Sequence, residues 1–214
     1  DVVIWPEGAL PVTANDAFSS WVGPSIDRAL EPGQTLVAGF SRAEAGRDGE
    51  PSYFNSLFVL HDSGQLRIAA IYDKYRLVPF GEFLPLGGVM SATGIRSLVH
   101  VPADFSAGPR PRPVDIPGAP RAQPLICFLS AEGGRPGCII NISNAACSGR
   151  TPGPGQHLNL AAYRAIETGL PMVRATPTGI SALVDPWGRV GPRLEPGESG
   201  VLDVRLPEPA APTL

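Results

Sequence analysis

The chain has 214 residues, a net charge of −3 and a pI of about 5.6, which suits one domain or at most two and offers no basic surface for nucleic acid. It is 43% hydrophobic, enough to build a core. None of its apolar runs approaches the roughly eighteen residues needed to span a bilayer. Three cysteines, Cys127, Cys138 and Cys147, show no CxxC and no zinc-ligand spacing, and their odd number leaves at least one unpaired within the chain.

The 25 glycines and 25 prolines are scattered between apolar runs, where they mark turns between short strands. Residues 1–5 read as a buried strand ended by Pro6. Residues 16–31 fit a helix capped by Asn15 or Asp16 and interrupted at Pro24. Residues 35–41 give a second buried strand, and 53–60 with 65–74 give a β-hairpin around "DSG", with His61 solvated in its turn. The Pro-rich stretch 102–122 reads as a surface loop. It runs into a strand at 122–129, followed by another at 137–144. Residues 156–169 are the clearest helix, with apolar positions at Leu158, Ala161, Ala162, Ala165 and Ile166 and Gly169 as its stop. Short strands at 172–176, 179–185, 188–190 and 200–206 close the pattern, with "DPWG" as a turn. Many strands, several apolar throughout, predict a layered α/β or α+β architecture with both sheet faces covered.

The chain holds no GxSxG elbow, GxxxxGK[ST] loop or HExxH helix, so no metal or cofactor is expected. Its three histidines, His61, His100 and His157, are isolated in the sequence. Three other segments combine. Glu7 follows the first strand, Lys74 ends another with Glu82 shortly after it, and Cys127 ends a third. Lys74 is the one lysine among 17 basic residues, and arginine cannot replace lysine where a compact ammonium is needed. A carboxylate in a desolvated pocket can take the thiol proton, and an ammonium can stabilise both thiolate and oxyanion. Glu, Lys and Cys therefore suffice for acyl transfer without histidine. Taken singly, each residue has a plainer reading: a surface Glu in a turn, a solvated charge cluster, a buried inert thiol. Cys138 reads as a core residue and Cys147 as an exposed loop thiol.

"IWPEGALP", "YDKYRLVPFGEFLP", "PLICF", "IINISNAACSG" and "QHLNLAAYRAIETGLPMVRATPTGISALVDPWGRV" together resemble the nitrilase-like (carbon–nitrogen hydrolase) domain of the apolipoprotein N-acyltransferase family. The resemblance implies an αββα sandwich over residues 1–206, lacking the family's first strand and helix before residue 1. Residues 207–214 would be a Pro-rich tail leading to a membrane segment. It further implies an enzyme of the bacterial inner membrane with this domain on the periplasmic face. Such enzymes take an acyl chain from a phospholipid as a Cys thioester and pass it to the N-terminal amine of a diacylglyceryl-modified lipoprotein. Glu7 would be the general base, Lys74 the oxyanion stabiliser, Cys127 the nucleophile and Glu82 a second carboxylate beside the site.

The match breaks at particular positions. Leu129 stands where the family has a carboxylate, Ala145 where it has an acid, and Gly155 where it has Trp. Cys147 and Ser148 replace two aromatics. Such losses around the pocket mouth imply a loosened lipid-binding wall and impaired turnover. Two alternatives use the same sequence: a soluble amidase with water as second nucleophile, and a relative that binds without catalysis.

Overall fold

The computed structural model describes residues 1–46, 49–79, 81–83, 104–127, 136–144 and 151–211. The first sheet holds β1 (Val2–Ile4), β2 (Thr35–Ala45), β3 (Pro51–Asp62) and β4 (Leu66–Asp73) in spatial order. β1 and β2 are parallel, and the other two pairs are antiparallel. The second sheet holds β5 (Ala122–Ile126), β6 (Cys138–Ile142), β7 (Met172–Ala175), β8 (Ser181–Val184) and β9 (Val190–Leu194). Its first three strands are parallel and its last two antiparallel to their neighbours.

The period of two along the strands sorts the side chains into layers. Val37, Leu57 and Val59 from the first sheet meet Ile126, Ile140 and Ile142 from the second, forming the central core. Leu36, Ala38 and Phe40 point the other way, onto α1 (Ala14–Ser19) and α2 (Val22–Ala29). There Phe18, Phe40 and Phe58 form an aromatic cluster with ring centroids 5.5 to 6.1 Å apart. On the opposite side Leu125, Ile139 and Met172 meet α3 (Gly153–Thr168) through Leu158, Ala161 and Ala165. Helix, sheet, sheet, helix is the predicted αββα order.

Several expectations change in detail. The helix expected at 16–31 is two helices, because the chain turns extended at Ser20, whose hydroxyl donates to Ala17 O. Pro24 is not the break; it lies in the first turn of α2, where a missing N–H costs little. Thr13, rather than Asn15 or Asp16, caps α1. Asn15 instead accepts from the Ala43 amide at 3.0 Å. β1 is half-buried, being the edge of its sheet. His61 lies on β3 and is not a solvated turn residue; its Nδ1 bonds Thr35 Oγ1 at 2.9 Å. Ile166, expected on the core stripe of α3, is 45% exposed. The stretch 200–206, expected as a strand, pairs with no described strand, although Leu206 packs on the central core. The stretch 104–121 is no simple surface loop: Val114 and Ile116 enter the central core.

Candidate active site

The four sequence-selected residues come together where the two sheets meet. Glu7 is placed by the turn after β1. The Trp5 amide donates to Val37 O at 2.8 Å, and the Gly39 amide to Pro6 O at 3.3 Å. This approach is possible because residue 39 is glycine. A Cβ there would stand 2.7 Å from Glu7 Cα and 2.9 Å from both Pro6 O and Ile142 Cδ1. Gly39→Ala is therefore expected to push Glu7 out of register. Stability should fall by about 1–3 kcal/mol, read by thermal melting.

Lys74 follows β4 and is 3% exposed. Its amide donates to Asn55 O at 2.8 Å, and its carbonyl accepts from the Gly108 amide at 2.8 Å. The Pro-rich segment thus holds the lysine, and the Phe105 amide holds the Glu82 carbonyl in the same way at 2.8 Å. The Lys74 ammonium lies 2.9 Å from Glu82 Oε1 and 3.6 Å from Glu7 Oε1. Asn55 joins the two carboxylates, its Nδ2 donating to Glu7 Oε1 at 2.6 Å and to Glu82 Oε1 at 2.8 Å. Each remaining carboxylate oxygen takes a backbone amide: Asn144 N–H to Glu7 Oε2, and Val78 N–H to Glu82 Oε2, both at 2.8 Å. Every carboxylate oxygen in the cluster therefore has a donor, as buried charge requires.

Cys127 sits one residue past β5. Its amide still donates to Ile142 O at 3.0 Å, so the ladder continues to the cysteine nitrogen. The chain then turns: Cys127 is the one non-glycine residue with positive φ among the described residues, at 56°. Left-handed backbone at a cysteine is uncommon and gathers at functional sites. Burial pushes the Cys127 thiol above its ordinary pKa, Lys74 pulls it down, and Glu7 and Glu82 oppose that pull. The Ser143 hydroxyl, fully buried and otherwise without a partner, faces the same thiol and favours its thiolate. Glu7 is also pushed up, chiefly by burial, against the opposing effect of Lys74 and Asn55. A thiol, a carboxylate with a raised proton affinity and a compact cation share one desolvated space. That set can deprotonate the thiol and stabilise an oxyanion.

Five residues linked to Cys127 or to the carboxylates by hydrogen bonds or charge were not picked out from the sequence. Asn55, Ser143 and Asn141 carry no motif of their own. Arg174 is 1% exposed, a burial no pattern of strand residues announces. His157, isolated in sequence, places its Nε2 3.2 Å from the Cys127 carbonyl. Leu129, Ala145, Cys147, Ser148 and His100 lie outside the described residues. Cys138 is core as expected, and burial lifts its thiol to about 11. No cluster able to hold a metal occurs among the described residues.

The chain is 48% identical over 218 residues to an apolipoprotein N-acyltransferase from Caulobacter vibrioides, covering 97% of this chain and 41% of that protein. It is 40% identical over 220 residues to the apolipoprotein N-acyltransferase of Brucella melitensis, covering 99% and 41%. The chain thus spans about two-fifths of the length of these curated relatives. Among solved structures, a CN-hydrolase superfamily protein from Xanthomonas campestris matches the fold with a TM-score of 0.57 at 18% identity, covering 93% of this chain and 75% of that one. The family described as carbon–nitrogen hydrolase matches residues 1–211, and the chain belongs to it.

Proposed function

We propose that this chain is the catalytic domain of a lipoprotein N-acyltransferase. The observation that supports it most is the buried Glu7–Lys74–Glu82 cluster beside Cys127, in a chain 48% identical to an enzyme of that name. Glu7 takes the Cys127 proton, and the thiolate attacks the ester carbonyl of a phospholipid acyl chain. Lys74 stabilises the oxyanion. Glu7 returns the proton to the departing lysophospholipid alcohol, leaving an acyl thioester on Cys127. The N-terminal amine of a diacylglyceryl-modified lipoprotein then attacks the thioester and gives a proton to Glu7. The thiolate leaves, and an amide is formed. Glu82 holds Lys74 in place. Such substrates reach the site from the bacterial inner membrane at its periplasmic face. No helix of the described residues is long and apolar enough to cross a membrane.

The test supplies phospholipid and a diacylglyceryl-lipopeptide in detergent, and follows both products by mass. Acylated lipopeptide is the expected result. Free fatty acid alone would mean that water is the second nucleophile, as in an amidase, and would overturn the proposal.

Turnover should be impaired by the loosened pocket wall. Gly155 lies in the first turn of α3, and among the described residues a Cβ there would meet open space beyond its own chain neighbours and helix backbone. A tryptophan buries about 150–250 Å² and would refill this space. Gly155→Trp is expected to keep or raise the melting temperature, since glycine inside a helix costs about 0.5–1 kcal/mol. It should also raise acylation by phospholipid more than acylation by a short ester.

A further inference from the structure

A closed hydrogen-bond circuit leaves β5 at Leu125 and returns to the same segment at Cys127. Leu125, Asn141 and Arg174 are cross-strand neighbours on β5, β6 and β7. Asn141 Nδ2 donates to Leu125 O at 3.0 Å, and Asn141 Oδ1 accepts from Arg174 Nη1. Arg174 Nε donates to Ile180 O at 3.2 Å, and its Nη2 lies 3.3 Å from His157 Nδ1. His157 Nε2 completes the circuit at the Cys127 carbonyl.

The chemistry of the partners fixes every direction in this circuit. An arginine only donates, so His157 Nδ1 accepts. The imidazole proton then sits on Nε2, from where it donates to Cys127 O. The Asn141 amide is fixed likewise, because its oxygen must face the guanidinium. Burial and the nearby Arg174 charge hold the His157 pKa below its ordinary value, which keeps this neutral form.

Arg174 is one of the largest fully buried side chains, yet the acceptors it meets in this circuit are all neutral. Burial lowers its pKa to about 10, opposed by the ionisable groups Cys127 and Glu7. A desolvated guanidinium with neutral acceptors is costly to place in a sheet. Its arrangement ends on the one non-glycine residue with positive φ among the described residues.

We propose that Arg174 and His157 form a positioning relay that holds Cys127 in its left-handed backbone conformation and so aims the thiol at the Glu7–Lys74 pair. Neither residue reacts. Both act through the Cys127 carbonyl. The inference rests on the reading of Cys127 as the nucleophile.

Single-turnover acylation of Cys127 in the 214-residue chain by p-nitrophenyl butyrate tests it, read as the nitrophenolate burst, with thermal melting alongside. His157 is half-buried, so His157→Leu should fold. It is expected to lower the maximal acylation rate about 100-fold and leave half-saturation within about threefold, with a small fall in melting temperature because Arg174 Nη2 and the Cys127 carbonyl each lose a partner. His157→Gln places an amide N–H near the position of Nε2 and should restore the rate to within about fivefold of the native protein. A native burst that His157→Leu leaves unchanged would overturn the relay alone. So would equal losses in His157→Leu and His157→Gln. The absence of any burst from the native chain would overturn the nucleophile reading and the relay with it.

Discussion

Glu7→Gln is expected to slow acylation of Cys127 by about 10²–10⁴-fold, the usual range for loss of a general base. The amide is nearly isosteric, but it has one acceptor oxygen where Glu7 accepts from both Asn55 Nδ2 and the Asn144 amide. Its NH₂ must therefore face one donor, so a small loss of stability accompanies the large loss of rate. The pH profile gives a second readout. Burial raises the Glu7 pKa above its ordinary 4.5. The carboxylate form is the base, so activity should rise through an acid limb centred above pH 4.5. That limb should vanish in Glu7→Gln. Lys74 pulls the Glu7 pKa down, so its removal should move the limb upward. The sign for stability is the opposite one. With the folded pKa above the unfolded one, the native state binds this proton more tightly. Glu7 then contributes stability below about pH 4.5 that is lost as pH rises through the folded value. Stopped-flow bursts and denaturant titrations across pH measure both. A native acid limb at or below pH 4.5, or one unchanged in Glu7→Gln, would remove Glu7 from the role of base.

Lys74 carries the other large effect. Lys74→Met leaves Glu7 and Glu82 buried and bridged by Asn55 with no cation between them. Breaking a buried pair from one side costs about 3–5 kcal/mol. In a chain of this size that lowers the melting temperature by roughly 10 °C. Lys74→Arg keeps the charge and separates charge from shape. A planar guanidinium is too long for the 2.9 Å contact to Glu82 made by a point ammonium on a buried stem. Acylation should fall by about 10²–10³-fold with a much smaller loss of stability than Lys74→Met. Equal acylation by Lys74→Arg and the native chain would reduce Lys74 to a structural charge.

The layered fold was legible because strand burial repeats every two residues and the α3 stripe every three to four. Leu36, Ala38 and Phe40 against Val37 already encode two faces of a sheet. What failed were features that single-chain periodicity does not carry. The break at Ser20 is a local contest between a hydroxyl and the helix backbone. The stretch 200–206 has a strand's alternation, but no described strand pairs with it. Glu7, Lys74 and Cys127 stood out because each stands at a strand end and their chemistries complement one another, and Glu82 because its segment resembles that of the family. Asn55, Arg174 and His157 did not, because their importance lies in partners up to 48 positions away in the chain. Gly39 looks like an ordinary strand glycine until Glu7 is laid across it. Segment 104–121, Pro-rich and apparently superficial, turns out to hold Lys74 and Glu82 from behind.

The proposed function requires Cys127 to receive an acyl group from a lipid ester beside Glu7 and Lys74. Incubation of the chain with phospholipid in detergent, followed by intact mass measurement and hydroxylamine treatment, tests it most directly, with Cys127→Ala alongside. One added acyl mass is expected on the native chain, released by hydroxylamine and absent from Cys127→Ala. Equal labelling of both proteins, or a native chain that gains no acyl mass, would contradict it.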